Sequence, residues 1–427
     1  MAFYRGNEMS EEKILRPDLA IIGGGPAGLA AAAAARSAGA ERVLVLEREP
    51  LAGGILNQCV HDGFGLVRFG ENLTGPEYAA RFLQAALAAG VEIRPQTMAL
   101  ELTAQKQLWI LGPRGYVRVE AGAVILATGC RERTRGAIQI PGSRPAGVFT
   151  AGAAQYYLNR QNLMIGRRVL ILGSGDIGLI MARRLTLEGA RVLAVVEKMP
   201  YAGGLTRNIS QCLEDYDIPL YLNHTVTKIE GRQRVESVTV VRLDEAGRAV
   251  SGAERVYDCD TVILSVGLIP ENELALQAGV ELSPVTGGAM VGDDLQTNIP
   301  GLFACGNALH VHDLVDYVSA EGETAARNAV TFIRAENRAA ARPLIPVRPA
   351  AGLRYVMPFF VRPGARPLIS LRVKEPLGRR RIVVKAGGRI LAERKFPRLA
   401  PAKMERLTLR EPVPLAATLL EVMIYDS

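Results

Sequence analysis

The strongest constraint on the fold is a segment near the N-terminus that recurs at an offset of 150 residues. Residues 19–55 read LAIIGGGPAGLAAAAAARSAGAERVLVLEREPLAGGI, and residues 169–205 read VLILGSGDIGLIMARRLTLEGARVLAVVEKMPYAGGL. Each copy has an apolar run, a glycine-rich turn, a helical stretch and a second apolar run that ends in an acid. The repeat therefore predicts two copies of the strand–turn–helix–strand unit of doubly wound α/β domains.

The glycines and the acid of this unit have the spacing of a dinucleotide-binding site. The first glycine permits the tight turn, the second lets backbone N–H groups approach a pyrophosphate, and the third lets helix and strand pack closely. The acid, 19 residues after the third glycine in both copies, is placed to accept hydrogen bonds from an adenosine ribose. The residues are Gly23, Gly25, Gly28 and Glu47, then Gly173, Gly175, Gly178 and Glu197. Glycine turns also occur for packing alone, but here the complete motif occurs twice.

The composition and the charge distribution limit the cellular compartment and the kinds of partner that we expect. Five cysteines in 427 residues, none in C-x-x-C, and no signal-peptide or membrane-spanning apolar run predict a cytoplasmic protein without a transmembrane segment. The net charge of +8 belongs to residues 342–427, which hold 18 Lys and Arg against 6 Asp and Glu. We expect no nucleic acid there, because the arginines are spread along strands with few aromatic residues between them. Two interpretations of this basic segment remain: a solvated strand surface, or a site for an acidic protein or an anionic substrate.

Three further apolar segments follow the two copies of the repeat. AGAVILATGC (121–130) and CDTVILSVG (259–267) read as apolar strands that end before a glycine, and LQTNIPGLFACGNA (295–308) supplies another buried strand before Gly306 and Asn307. Over residues 18–334 this order resembles the two-dinucleotide-binding-domain flavoproteins of the pyridine nucleotide-disulfide oxidoreductase superfamily. The resemblance implies an α/β fold with two Rossmann-like domains. The NAD domain (161–280) would be inserted into the FAD domain (18–160 and 281–335), with a small C-terminal all-β module at 350–427.

The resemblance also assigns the cofactors. It implies FAD at the first copy of the motif and a nicotinamide dinucleotide at the second. A carboxylate at Glu197 repels a 2′-phosphate, so we expect NAD rather than NADP, although Lys198 lies beside it. Asn307 stands where the family usually has an acid that holds the ribityl chain of the flavin. The implied FAD residues are Gly23, Gly25, Pro26, Ala27, Gly28, Glu47, Arg48, Gly54, Ile55, Ala127, Thr128, Gly129, Gly306 and Asn307; the implied NAD residues are Gly173, Gly175, Asp176, Ile177, Gly178 and Glu197.

The chain lacks the paired cysteines of the disulfide reductases in this superfamily. Those enzymes carry C-x-x-x-x-C just after the first acid, or C-x-x-C in the NAD domain, and the sequence has neither. The resemblance therefore implies an FAD/NAD(P)-dependent oxidoreductase that is not a disulfide reductase. Cys59 alone could form a sulfenate or mixed disulfide, as in single-cysteine flavin oxidases, or be a structural thiol.

Histidines fall in the segments that the resemblance places near the flavin ring. These are His61, His310 and His312, and GNALHVHDLVDYVSAEGE (306–323) is expected to open a helix whose N-terminus points at the flavin. A helix N-terminus and an imidazole both stabilise negative charge. The predicted catalytic residues are thus His310, His312, Cys59 and His61, with packing or capping as the alternative for the histidines. No metal is predicted, because spacing gives the H-x-H pair no third ligand.

Closer resemblances point to the role of a subunit in a larger enzyme. Residues 127–159 resemble the FAD/NAD subunits of multi-subunit amine dehydrogenases and oxidases, such as those of sarcosine oxidase, opine oxidase, proline dehydrogenase and hydrogen cyanide synthase. Residues 53–66, 73–82 and 304–318 resemble a bacterial flavoprotein associated with anaerobic glycerol-3-phosphate dehydrogenase. They imply hydride exchange between nicotinamide and FAD, with electrons shared with a second flavoprotein dehydrogenase or a small iron–sulfur protein. A stand-alone NADH oxidase that forms peroxide and a non-catalytic scaffold that holds the cofactors are the alternatives.

The C-terminal segment reads as short strands. Gly387 and Gly388 separate two alternating runs and predict a tight hairpin. No cysteine follows Cys305, so this segment cannot supply a thiolate-ligated iron–sulfur cluster. It could dock an acidic redox partner or serve as a stabilising or homo-oligomerising module.

Overall fold

The computed structural model describes residues 14–335 and 344–426. Its helices are α1 (Pro26–Ser37), α2 (Gly75–Ala88), α3 (Arg135–Ile138), α4 (Ala151–Gln161), α5 (Asp176–Leu187), α6 (Thr206–Cys212), α7 (Glu273–Gln277) and α8 (Val315–Arg334). The strands in the first part of the chain are β1 (Ile14–Leu15), β2 (Leu19–Ile22), β3 (Val43–Leu46), β4 (Asp62–Phe64), β5 (Leu73–Thr74), β6 (Glu92–Arg94), β7 (Met98–Leu102), β8 (Gln107–Gly112), β9 (Gly115–Glu120), β10 (Ala123–Leu126) and β11 (Cys130–Glu132).

The middle of the chain contains β12 (Val148–Thr150), β13 (Arg168–Leu172), β14 (Arg191–Val196), β15 (Leu220–Tyr221), β16 (His224–Glu230), β17 (Ser237–Leu243), β18 (Ala249–Asp258), β19 (Thr261–Leu264), β20 (Leu268–Pro270) and β21 (Leu302–Ala304). The C-terminal part contains β22 (Ile345–Pro349), β23 (Leu353–Met357), β24 (Phe360–Val361), β25 (Leu368–Val373), β26 (Arg380–Ala386), β27 (Arg389–Phe396), β28 (Glu405–Thr408) and β29 (Leu420–Asp426).

The first copy of the repeat builds a five-stranded parallel sheet with the strand order β21-β10-β2-β3-β6. Every residue of β2, β3, β10 and β21 is buried, which explains why these strands read as unbroken apolar runs. Helices α1 and α8 pack against each other and on this sheet. A second layer, β1-β9-β8-β7, adds apolar residues to the same core.

The second copy builds an equivalent five-stranded parallel sheet, β12-β19-β13-β14-β15. Val169 and Ile171 pack with apolar residues of α4 and α5, whereas Leu170 and Leu172 pack with apolar residues of β16 and β17. This alternation follows from the two faces of a strand. Two Rossmann-like units, each containing one copy of the repeat, are therefore the core of the fold, as predicted.

The chain crosses between the two units along an antiparallel pair, β11 with β20. The boundaries differ from those predicted from sequence. Strand β12 lies in the second sheet although it precedes residue 161, because its three residues pair in parallel with β19 and carry no motif that would have assigned them. Helix α7, which precedes residue 281, already packs against β7 of the first unit.

The C-terminal module is all-β and has its own core. It consists of the sheets β24-β22-β29-β26-β27 and β23-β25-β28, and it begins with β22, earlier than the predicted residue 350. The predicted hairpin is present: Gly387 and Gly388 join β26 to β27 with φ values of +55° and +83°. These left-handed angles favour glycine.

The module is attached to both Rossmann-like units. The Arg362 guanidinium bonds the Asp293 carboxylate, with Nη2 to Oδ2 at 2.9 Å, and approaches Asp294 at 3.3 Å. On the other unit, the Tyr201 hydroxyl donates to the Lys374 carbonyl at 3.3 Å. Within the described ranges, no helix has the length and apolar character needed to span a membrane.

Candidate functional site

The two glycine-rich turns have the same geometry. Gly23 has φ +108°, and a Cβ added there would lie 2.3 Å from the Ala127 carbonyl oxygen. Gly173 has φ +94°, and its added Cβ would lie 2.1 Å from the Ser265 carbonyl oxygen. The third glycine of the first turn is also enclosed, because a Cβ on Gly28 would lie 1.9 Å from the Gly23 carbonyl oxygen. The first and third glycines are thus required by the packing of the backbone itself.

The middle glycine of the first turn is different. Gly25 is the N-cap of α1, with φ −77° and no side-chain cap, and Pro26 occupies the first helical position. A Cβ added to Gly25 would have only the Gly54 Cα within 4 Å, at 3.9 Å. Gly25 therefore leaves open space in front of the unbonded N–H groups of the first helical turn. Such a space suits a phosphate group.

The two acids are held in matching ways. One oxygen of Glu47 accepts the Gly24 N–H at 2.8 Å, and one oxygen of Glu197 accepts the Ser174 N–H at 2.9 Å. In both copies the other carboxylate oxygen accepts the backbone N–H two residues further along the chain. Both side chains are less than 10% exposed. The carboxylates are thus fixed beside the glycine turns and still have lone pairs for ribose hydroxyls.

Both turns open into one cavity of about 2450 Å³ between the two units and the C-terminal module. This is more space than the ~300–1,000 Å³ usual for a single drug-sized ligand. The predicted site residues that line it are Gly23, Gly25, Pro26, Ala27, Glu47, Arg48, Gly54, Ile55, Cys59, His61, Ala127, Thr128, Gly129, Gly173, Gly175, Asp176, Ile177, Glu197, Asn307, His310 and His312. Gly28, Gly178 and Gly306 lie outside this lining.

His310 and His312 meet at Glu321, a residue that the sequence analysis missed. His310 Nε2 is 3.0 Å from Glu321 Oε1, and His312 Nε2 is 3.6 Å from Glu321 Oε2. Glu321 Oε2 also accepts the Gly306 N–H at 2.7 Å. Both imidazoles are almost fully buried, with 1% and 2% of their side chains exposed. The spacing gave no signal for Glu321, because it reaches the histidines from the second turn of α8.

Burial and neighbouring charges set the protonation of this cluster. Burial lowers the pKa of His310, and His312 lowers it further against the opposing effect of Glu321. Burial alone would raise the pKa of Glu321, but the facing imidazoles of His312 and His310 outweigh it and hold the pKa well below its usual range. His310 is therefore neutral and Glu321 ionised at neutral pH.

Two residues of the C-terminal module reach the same loop, and sequence reasoning missed both. The Tyr355 hydroxyl lies 3.3 Å from His310 Nδ1. The Arg372 guanidinium donates to the Tyr355 oxygen at 3.2 Å and to the Val311 carbonyl at 3.0 Å, and it pairs with the Asp313 carboxylate. The module therefore forms part of the cavity wall. It also fixes the loop that carries His310 and His312, which is called the histidine loop below.

The thiols in the cavity are protonated. Cys59 Sγ lies 3.3 Å from the Ile55 carbonyl oxygen and 3.6 Å from Gln155 Oε1, and burial raises the pKa of this thiol to about 12. Burial likewise raises the pKa of Cys130 to about 11. A thiol nucleophile acts as the thiolate, so neither is activated in this structure.

The remaining predicted residues have varied surroundings. His61 packs on Phe64 with ring centroids 5.1 Å apart, and burial lowers its pKa. Asn307 Oδ1 accepts a hydrogen bond from the backbone N–H of His312 at 3.0 Å. Asp176 Oδ1 accepts the Leu205 N–H at 2.8 Å, so this carboxylate holds the loop after β14. Helix α8 begins at Val315 without a side-chain cap.

Comparisons with known proteins agree with this geometry. The family model described as pyridine nucleotide-disulphide oxidoreductase matches residues 17–330. An opine oxidase subunit of Agrobacterium tumefaciens (strain Ach5) is 30% identical over 283 residues, which is 62% of this chain and 55% of that relative. The chain thus spans about half the length of that relative. The glutamate synthase (NADPH) small chain of Mycobacterium tuberculosis is 27% identical over 374 residues, 79% of this chain and 70% of that one.

A solved structure shows the same fold. The crystal structure of T. acidophilum thioredoxin reductase superposes with a TM-score of 0.62 at 23% identity, and the match covers 74% of this chain and 98% of that chain.

Proposed function

The chain belongs to the pyridine nucleotide-disulphide oxidoreductase family, and we propose that it exchanges electrons between NADH and a partner protein through a bound FAD. The observation that carries this proposal is the pair of matching glycine turns, each with a fixed carboxylate, that open into one cavity. Family members bind FAD and use NAD(P)H. A chain with two such sites on one cavity is built to bring two dinucleotides together.

In this proposal the first unit holds FAD and the second holds the nicotinamide dinucleotide. The open space at Gly25 receives the pyrophosphate of FAD, and Glu47 accepts from its adenosine ribose. Bound together, the two groups supply hydride exchange between nicotinamide and flavin. The protein orients them and excludes water, because His310, Tyr355 and Arg372 close the cavity wall with buried side chains.

The proposal favours NADH over NADPH. Glu197 is buried and fixed beside the second glycine turn by backbone N–H groups, where its negative charge opposes a 2′-phosphate. Lys198 also lines the cavity and acts in the opposite direction.

The proposal further gives the chain the role of electron carrier within a larger enzyme. Two relatives are named as parts of such enzymes, one a component of opine oxidase and the other the small chain of glutamate synthase. The expected partner is a second flavoprotein dehydrogenase of the glycerol-3-phosphate or amine type, a small iron–sulfur protein, or both. The proposal places the electron acceptor outside this chain because the cysteines offer no internal relay: Cys59 and Cys130 are protonated, and the other three are buried. The same observation speaks against a disulfide reductase and against a thiol-based NADH oxidase.

The test is an anaerobic titration of the purified protein with NADH, followed by the absorbance of the flavin. We expect stoichiometric bleaching by NADH and a weaker response to NADPH. Adding an artificial one-electron acceptor should restore the yellow colour quickly, whereas oxygen alone should restore it slowly. Tightly bound FAD that NADH does not bleach would overturn the proposal and favour a scaffold role. Rapid oxygen consumption without an acceptor would favour the oxidase.

A further inference from the structure

The hydrogen bonds between the C-terminal module and the histidine loop have a fixed direction. A guanidinium only donates, so the Tyr355 oxygen must accept from Arg372 Nε at 3.2 Å. The hydroxyl proton of Tyr355 then remains to be donated. Among the described residues, its one other hydrogen-bond partner is His310 Nδ1, at 3.3 Å. Tyr355 therefore donates to His310, and Nδ1 is an acceptor without a proton.

The other side of the ring gives the same result independently. His310 Nε2 faces Glu321 Oε1 at 3.0 Å. Glu321 is an ionised carboxylate, which only accepts, so a proton must lie on Nε2. If the proton were on Nδ1 instead, two acceptors would face each other at 3.0 Å in a buried site. Both neighbours thus select one tautomer of one neutral histidine.

We propose that Tyr355 and Arg372 are positioning residues for the cofactor cavity, which hold His310 as the neutral tautomer with its proton on Nε2. This inference rests on the proposed function for its catalytic meaning. Both residues lie outside residues 17–330, the part that matches the family. They act through His310 and Glu321 on the segment around Gly306, whose N–H the same carboxylate accepts.

His312 stands outside the chain of hydrogen bonds that runs from Arg372 through Tyr355 and His310 to Glu321. Its Nδ1 atom is buried and, within the described residues, has no hydrogen-bond partner. His312 lines the cavity, as does His61, whose Nδ1 atom is likewise buried without a partner in the part of the chain that the structure describes.

A metal ion is the competing explanation for the same cluster. The ligand atoms of His310, His312 and Glu321 lie within 4.8 Å of one another, which is close enough for a shared ion. A metal on His310 would take the Nε2 position that the proposal gives to a proton. The directed bonds from Arg372 to Glu321 account for the cluster without an ion, and the two explanations make opposite predictions for Nε2.

The test is a long-range ¹H–¹⁵N correlation spectrum of the full-length protein labelled with ¹⁵N-histidine. The chain has only 4 histidines, so each can be assigned by a single His→Gln variant. In the wild type we expect His310 with a protonated Nε2 and an unprotonated Nδ1. Tyr355→Phe should change the ratio of the two tautomers about fivefold or more, the equivalent of one neutral hydrogen bond. Arg372→Lys should act in the same direction, because Tyr355 loses the donor that orients its hydroxyl.

The matched control is Tyr425→Phe in the same module. Tyr425 is 38% exposed and lies under the Arg381 guanidinium, away from the histidine loop. It should leave both the His310 signals and the pH profile of NADH-dependent flavin reduction unchanged, whereas Tyr355→Phe should shift that profile.

Three outcomes would overturn the inference. They are a wild-type His310 protonated on Nδ1, a Tyr355→Phe spectrum identical to the wild type, and a stoichiometric metal content that His312→Ala removes. The wild-type spectrum decides the tautomer even if a variant fails to fold. The tautomer can be read whether or not NADH bleaches the flavin, so failure here differs from failure of the proposed function.

Discussion

Replacing Gly25 by alanine separates the packing role of the first glycine turn from its binding role. The backbone angles at Gly25, φ −77° and ψ −172°, are open to alanine, and the new Cβ would make one ordinary contact at 3.9 Å. Alanine restricts the unfolded chain, which stabilises by about 0.4–1 kcal/mol, and it is a poorer N-cap by a similar amount. We therefore expect the free energy of unfolding of the FAD-free protein to change by less than about 1 kcal/mol.

The same methyl group would occupy the space in front of the first N–H groups of α1. Each charge-assisted hydrogen bond lost from a phosphate costs about 1.5–3 kcal/mol, so a loss of one or two weakens FAD binding by roughly 100-fold. The matched variant Gly175→Ala brings its Cβ within 3.0 Å of the movable Ser265 Oγ. It should weaken NADH binding and leave the flavin content unchanged.

The assay is the ratio of flavin to protein absorbance after purification, together with thermal unfolding with and without added FAD. FAD at about 100 times its Kd stabilises the wild type by about 2.7 kcal/mol, and a 100-fold weaker variant at the same concentration gains only about 0.4 kcal/mol. A Gly25→Ala protein with full flavin content would refute the reasoning. So would FAD-free protein that no longer folds, which is the outcome expected instead for Gly28→Ala, whose Cβ would lie 1.9 Å from a carbonyl oxygen.

Three further predictions follow from buried charges and thiols. Cys59, with a pKa of about 12 against 9.0 for an ordinary thiol, should react with iodoacetamide about 1000-fold more slowly than the unfolded protein, as judged by mass spectrometry at pH 8. Arg362→Ala should cost about 2 kcal/mol in urea unfolding because Asp293 is 4% exposed, whereas Arg381→Ala at an exposed pair should cost under about 1 kcal/mol. Burial lowers the pKa of His310, so the unfolded chain takes up its proton first as the pH falls. Stability should therefore decline by up to about 1.4 kcal/mol per pH unit below about pH 6.5, and His310→Gln should flatten this slope. Fast alkylation, equal costs and an unchanged slope would contradict the first, the second and the third of these predictions.

The Rossmann-like units were predictable because their determinants are local. Gly23 and Gly173 need left-handed backbone angles at a fixed distance from their acids, and the strands that flank them are dominated by apolar residues. Such patterns can be recognised in the sequence without knowing how the rest of the chain packs. The Gly387–Gly388 hairpin was predictable for the same reason.

The histidine cluster was only half predictable. The sequence places His310 and His312 beside a helix, but Glu321, Tyr355 and Arg372 join them through helix pitch and through packing of a distant module. No periodicity within one element marks these partners. For β12 the difficulty is similar: its three residues are assigned to the second sheet only by their pairing with β19.

The attachment of the C-terminal module has a consequence for the order in which the protein is made. The Asp313 carboxylate pairs with Arg372 and accepts the Met404 N–H, and both partners are synthesised long after the loop that needs them. A ribosome-bound chain that has reached only residue 335 contains both glycine turns but lacks the residues that set the histidine loop. Completion of the cavity therefore waits until Arg372 and Met404 have been made, and chains truncated before these residues are left without a finished site.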